Sequence, residues 1–150
     1  MTDFIDPQIR RATFADEVQL LELLRPLQSP SFHWPADNFL SEFQACETWV
    51  LATEELIEAF ICVRDAVDAW ELSVLGTRDS SQGKCRMSAL LKAVIERYNC
   101  ERQLWLEVHE NNTSARKLYE KCGFESQGQR LSYYRDGAAA ILYTRALGKF

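Results

Sequence analysis

Histidine is scarce in this chain: His33 and His109 are its two examples in 150 residues. They stand too far apart in sequence to suggest a metal centre, so none is expected. The five cysteines (Cys46, Cys62, Cys85, Cys100 and Cys122) are odd in number and lack CxxC spacing. That pattern argues against a zinc site or a disulfide framework, and the cysteines read as free thiols in a reducing, cytoplasmic setting. No apolar run approaches the length of a membrane span, and the opening MTDFIDPQIR lacks the apolar region of a signal peptide. The expectation is a cytoplasmic protein without a membrane partner. Basic charge is not in excess either: the formal net charge is −5. The electrostatic footprint of a nucleic-acid binder is therefore missing. Internal repeats, linkers and low-complexity tracts are absent too. With 47% hydrophobic and 26% charged residues, residues 1–150 read as one domain large enough to bury a core.

The most informative stretch is LWLEVHENNTSARKLYEKCGF, Leu104 to Phe124. Leu104, Leu106 and Val108 alternate with Trp105, Glu107 and His109, which is the period of a strand with two different faces. From Asn112 the period becomes helical, with Ala115, Leu118, Tyr119 and Cys122 recurring at threes and fours. Asn112 or Thr113 is a fitting N-cap, and Gly123 sits where a left-handed C′ residue ends a helix, with Phe124 free to fold back. Asn112, Ala115 and Tyr119 share one stripe of that helix. A strand carboxylate, Glu107, and a helix phenol, Tyr119, are a credible base and acid. From pattern alone, the commoner account is a solvated glutamate and a core tyrosine.

Upstream, Gln8–Thr13 reads as a first strand, and Asp16 as the cap of a helix ending near Pro26. The segment PLQSPSFHWP, with Phe32 and Trp34, must be a loop before a short helix over Ala36–Phe43. Thr48–Thr53 and Leu56–Val63 suggest a hairpin, and Ala69–Leu75 the next strand. A long helix with Met87, Leu90, Leu91, Val94, Ile95 and Tyr98 on one stripe then leads into Leu104, so this unit is βαβ and its strands are parallel. Gly128–Tyr134 and Ala138–Leu147 read as a hairpin turned by Asp136–Gly137.

The motif LEV-H-x-x-N-x-x-A-x-x-LY-x-x-x-GF resembles the last conserved block of the GNAT acetyltransferases. More narrowly it resembles the bacterial ribosomal-protein-alanine N-acetyltransferases, with His109 as the departure. SFHWPADNF and the C-terminal R-x-x-YY…DG pattern are similar to further blocks of that family. The resemblance implies an α/β (α+β) GNAT fold: a mixed, mostly antiparallel sheet of about seven strands with a central parallel pair, flanked by about four helices. It implies an acetyl-CoA-dependent enzyme in which Glu107 is general base, Tyr119 general acid and Asn112 a contact to the pantetheine arm. Leu75, Thr77 and Ala115 would complete the cofactor side, with the Leu75 backbone polarising the thioester carbonyl. Phe32, Trp34, Arg130, Tyr133 and Tyr134 would shape the acceptor groove.

The family's pyrophosphate loop reads R/Q-x-x-G-x-G/A, a glycine-rich turn into a helix N-terminus. Here QGKCRM sets Gln82 first but places Cys85 and Met87 where the glycines belong, while Gly83, Lys84 and Arg86 still supply donors and charge. The expectation is transfer of acetyl from acetyl-CoA to a primary amine, foremost a protein N-terminal α-amine, by a metal-free monomer or homodimer. A small amine or polyamine is the alternative acceptor. A catalytically weak acyl-CoA-binding module is the reading that Cys85 and Met87 favour.

Overall fold

The structure, a computed structural model, describes residues 7–25, 35–54 and 56–148. Among these, seven strands form one sheet in the order β1-β2-β3-β4-β5-β7-β6: β1 Gln8–Arg11, β2 Glu47–Thr53, β3 Leu56–Asp65, β4 Ala69–Thr77, β5 Gln103–His109, β6 Glu125–Arg130 and β7 Ala140–Arg145. All neighbours are antiparallel except β4 and β5. The helices are α1 Glu17–Leu24, α2 Ala36–Ala45, α3 Arg86–Tyr98 and α4 Thr113–Lys121. This is the expected architecture, a mixed sheet with one parallel pair and helices on both faces.

Two apolar clusters separate along the sheet's pleat. On one face, Leu90, Leu91, Val94 and Tyr98 of α3 and Tyr119 of α4 meet Ile61, Leu72, Leu104, Leu106 and Tyr143. On the other, Leu20, Leu23 and Leu24 of α1 and Phe39 and Phe43 of α2 meet Val50, Phe60, Cys62 and Val74. Leu72 and Val74, two apart on β4, reach opposite clusters because a bulge lies between them: Cys62 opposes Val74 but Val63 opposes Leu72, leaving Ser73 extra.

Two local expectations are corrected. Asp16 stands at the N-cap position of α1, as expected, but its side chain makes no bond to that helix; it closes a 3-10 turn over Phe14–Asp16 instead. Its carboxylate accepts from the Thr13 N–H at 2.8 Å and pairs with Arg10 at 2.8 Å. The Arg10 hydrogen bond holds the Asp16 carboxyl below its usual range against the opposing effect of burial. A depressed folded pKa gives stability that is present above the unfolded value of about 3.9 and lost as pH falls through the lower folded value. Asp16→Asn should therefore lower the melting temperature at neutral pH, with the gap to wild type closing on acidification. Thermal unfolding at stepped pH checks this.

The second correction concerns the C-terminal hairpin. Its strands are Glu125–Arg130 and Ala140–Arg145, joined by residues 131–139, so Tyr133 and Tyr134 lie in the connection rather than on a strand. Asp136–Gly137 does turn, with the Gly137 N–H donating to Tyr134 O at 2.9 Å, but inside that connection. The Asp136 carboxylate is engaged by the Ala138 N–H at 2.9 Å and by His109, which shapes a broad loop rather than a two-residue turn.

At the far end of the α3–α4 face, Arg145 of β7 ties both helix C-termini together. Its Nε donates to Cys122 O at 2.9 Å and its Nη1 to Asn99 Oδ1, while Asn99 Nδ2 returns a bond to Arg145 O at 3.3 Å. Gly123, at φ 91°, ends α4 as the sequence predicts, and a Cβ there would lie 3.1 Å from Arg145 Nε. All five cysteines are free thiols.

Candidate active site

The parallel strands β4 and β5 pair only at Ala69↔Gln103, Trp70↔Leu104 and Glu71↔Trp105. Beyond Glu71 they part: β4 stays on β3 through Gly76 and Thr77, and β5 stays on β7 through His109. The parting leaves two facing strand edges with backbone groups unpaired, a slot that can take an extended chain by strand addition. Leu75 and Thr77, both half-buried, lie on the β4 side of this wedge.

Beyond β4, the segment 79–85 turns into α3. No side chain caps that helix, so its first-turn N–H groups face outward with the positive end of the helix dipole. The residues standing in for the missing glycines behave differently. Cys85, exposed, takes the left-handed conformation itself (φ 58°, ψ 23°), and Gly83 is also left-handed (φ 81°). Met87 lies within the helix, half-buried against the core, where glycine is not needed. The cost of the departure thus falls on Cys85, about 1–2 kcal/mol for a side chain in that region. Cys85→Gly should raise the melting temperature or leave it unchanged; a fall would show that the thiol makes a stabilising contact.

The other loop residues divide. Gln82 and Lys84 are exposed, with Gln82 Nε2 donating to Asp79 Oδ1 at 3.3 Å. The Arg86 guanidinium is committed to Glu58, a β3 carboxylate only 5% exposed, at 3.1 Å, and Ser81 Oγ donates to the same carboxylate at 2.9 Å. Arg86 therefore anchors the turn to the sheet, and Lys84 is the loop's exposed cation. Glu58 had a signal in the sequence, a carboxylate inside the apolar run LIEAFICV.

Asn112 caps α4, its Oδ1 accepting from the Ala115 N–H at 3.3 Å, with Ala115 half-buried. Tyr119 lies one turn further along the same stripe and is buried, edge-on to Phe124 at 6.0 Å and 6.2 Å from the Tyr143 ring. Its hydroxyl makes no hydrogen bond among the described residues, and burial, with a smaller effect of Tyr134, pushes its pKa well up.

Glu107 and Tyr119 are not side by side. Leu104, Leu106 and Val108 turn to the cluster that holds Tyr119, so Glu107, with Trp105 and His109, turns to the opposite face. The carboxylate and the phenol thus flank the sheet from its two sides, next to where β4 and β5 part. Tyr134 lies within electrostatic reach of both: half-buried, with its pKa pushed up to about 12, first by burial and then by Tyr133 and Glu107, while it in turn raises that of Tyr119. Its ring stacks on His109 at 4.7 Å. His109 is clamped in turn, Nε2 to Asp136 Oδ2 at 2.8 Å, with Nδ1 accepting from the Asn111 N–H at 3.1 Å. An acceptor at Nδ1 places the neutral ring's proton on Nε2, donating to Asp136. The residue that departs from the family motif therefore holds the tyrosine loop in place.

Arg130 reaches across from β6 to Glu107, Nε to Oε1 at 3.0 Å, and its guanidinium lies 5.8 Å from the exposed Tyr133 ring. Glu71, which sequence reasoning passed over, occupies the last paired position of β4 on the Glu107 face. Burial holds its carboxyl above the usual range. Its signal was the lone carboxylate in AWELSVL. Phe32 and Trp34 lie outside the described residues. Among the described residues no group of three His, Cys, Asp or Glu could hold a metal ion, and no helix is long and apolar enough to cross a membrane.

A sheet parted between two parallel strands, with an uncapped helix N-terminus following the first of them, is an α/β arrangement with room for an extended ligand that carries an anion. The chain belongs to the acetyltransferase (GNAT) family, which it matches over residues 17–124. It is 38% identical over 65 residues to an N-alpha-acetyltransferase of Sulfurisphaera tokodaii, a match covering 43% of this chain and 38% of that relative's length. The fold is that of the ribosomal-protein-S18-alanine N-acetyltransferase of Escherichia coli (TM-score 0.84, 23% identity, 96% of each chain). It is shared by a chain of the NatC complex bound to Gag peptide and CoA (TM-score 0.81, 16% identity, 95% of this chain and 99% of that one).

Proposed function

We propose that this protein transfers an acetyl group from acetyl-CoA to a primary amine, foremost the α-amine of a protein N-terminus. The observation that carries the reading is the wedge with a carboxylate on one face of the sheet and a buried phenol on the other. The family gives the donor, and the CoA-bound structural relative supports it. The residues present fit such a co-substrate. Unpaired edges of β4 and β5 match the amide-bearing pantetheine arm, and the free N–H groups opening α3, with Lys84 beside them, match its pyrophosphate.

The chemistry follows from the two faces. An α-amine, with a pKa of about 8, is largely protonated at neutral pH and must lose a proton to attack. Glu107 accepts it, directly or through water. The amine nitrogen then bonds to the thioester carbonyl carbon, whose oxygen is polarised by backbone N–H groups of the Leu75 region. The C–S bond breaks toward the Tyr119 face. Tyr119, kept neutral by burial, donates a hydrogen bond and then its proton to the sulfur leaving as thiolate; the second proton shed by the nitrogen as the amide forms passes to solvent, which also returns a proton to the phenol. Tyr133 and Tyr134 border the acceptor's approach, with Arg130 beside Glu107.

Two experiments test the reading. Acetyl-CoA at about 100 times its Kd should raise stability by about 2.7 kcal/mol; no thermal shift at saturating concentration overturns CoA binding. Thiol release with N-terminal peptides against a polyamine panel then identifies the acceptor. A preference for polyamines would leave the donor chemistry intact and displace the peptide.

A further inference from the structure

The Glu107 face carries more charge than proton removal requires. Glu42 of α2 bonds Arg64 of β3 at 2.6 Å, and Arg64 approaches Glu71 at 3.3 Å. Arg64 and Glu71 are register partners, as are Glu71 and Trp105, so they share the face of Glu107, two residues beyond Trp105. On that floor three carboxylates, Glu42, Glu71 and Glu107, meet two guanidinium groups, Arg64 and Arg130. Glu71 is the least compensated, since Arg64 sits closer to Glu42. The fields of both Glu107 and Arg130 act on it.

Arg130 is poorly suited to a purely structural role. Its side chain is 59% exposed while Glu107 is 16% exposed, and exposed pairs contribute at most about 1 kcal/mol. Its strand is already joined to β7 by a backbone ladder, and it reaches Glu107 by lying across β7, where its register partner is the small residue Ala140. A weak, displaceable cation thus rests on the carboxylate that must accept the acceptor's proton.

We propose that Arg130 is an internal stand-in for the acceptor: its guanidinium holds the place beside Glu107 that an incoming ammonium takes, and the acceptor enters by displacing it. This rests on the acetyltransferase reading and narrows its substrate class to amines that arrive as cations. Exchange of guanidinium for ammonium keeps the charge on the floor constant, whereas a neutral amine in that place would leave Glu107 without its cation and Arg64 as the one guanidinium against three carboxylates. Arg130 is then a specificity-determining residue that competes with the acceptor.

The test is Arg130→Gln. The KM for an alanine-initiated peptide or for 1,4-diaminobutane should fall about fivefold, with the KM for acetyl-CoA unchanged. Low-millimolar guanidinium chloride should inhibit the variant competitively with the amine and leave wild type unaffected. An unchanged or raised acceptor KM, or equal inhibition of both proteins, overturns the proposal while turnover itself upholds the acetyltransferase reading. A binding arm works without turnover: methylammonium chloride should raise the melting temperature of Arg130→Gln and not of wild type, and the rise should vanish when Glu107→Gln is added. No difference between the proteins in that arm overturns the proposal even if neither acetylates anything.

Discussion

Tyr119→Phe is expected to lower turnover by about 10²-fold or more while leaving the affinity for acetyl-CoA nearly unchanged. The structure makes this a clean substitution. The Tyr119 hydroxyl has no hydrogen-bond partner among the described residues, so removing it strands no other group. The ring contacts with Phe124 and Tyr143 survive in phenylalanine. The hydroxyl is not one of the fully sealed, unpartnered polar atoms, so its removal should leave the melting temperature nearly unchanged. A folded variant turning over at the wild-type rate would remove Tyr119 from the mechanism. A loss of turnover accompanied by a loss of stability would instead point to a packing role. Because the phenol's pKa lies far above that of a thiol, about 8.5, full proton transfer is uphill, and much of the expected effect comes from a hydrogen bond donated to the departing sulfur.

Glu107→Gln is expected to reduce turnover at neutral pH by about 10²-fold or more, with the deficit shrinking as pH rises through about 8. Without a base, only amine that is already deprotonated can attack, and its fraction increases with pH. The glutamine keeps the shape of the side chain but gives up the ion pair with Arg130. That pair is largely exposed on the arginine side, so little stability should go with it. A pH–rate profile parallel to wild type would count against Glu107 as base.

The sequence made the central block legible because each of its signals is local. Alternation set β5 to within one residue of its observed start at Gln103, the asparagine cap set α4, and Gly123 ended it in the expected left-handed state. Phe124 folds back into the core as that stop predicts. Less legible was everything decided by partners distant in sequence. Asp16 suits a helix cap, but Arg10 and the Thr13 amide claim it. Asp136–Gly137 suits a hairpin turn, but His109, on another strand, draws Asp136 into a wider loop that carries Tyr133 and Tyr134 toward the site. Glu71 and Glu58 are ordinary strand residues until the fold sets cations beside them. The relation of Glu107 to Tyr119 was half visible: their spacing places both near one strand end, and only the pleat assigns them to opposite sides.

The knot that Arg145 ties between Asn99 and Cys122 bears on how the cleft can breathe. It pins α3 and α4 at their C-terminal tips, while their N-terminal tips border the gap between β4 and β5. α3 is also seated on the sheet through Leu90, Leu91 and Val94, and α4 through Tyr119, so the helices are held along their length as well as at the pin. The mouth of the cleft is thus braced partly from its far end, by groups that take no part in the chemistry, and Arg145→Ala would weaken that brace at a distance from the site.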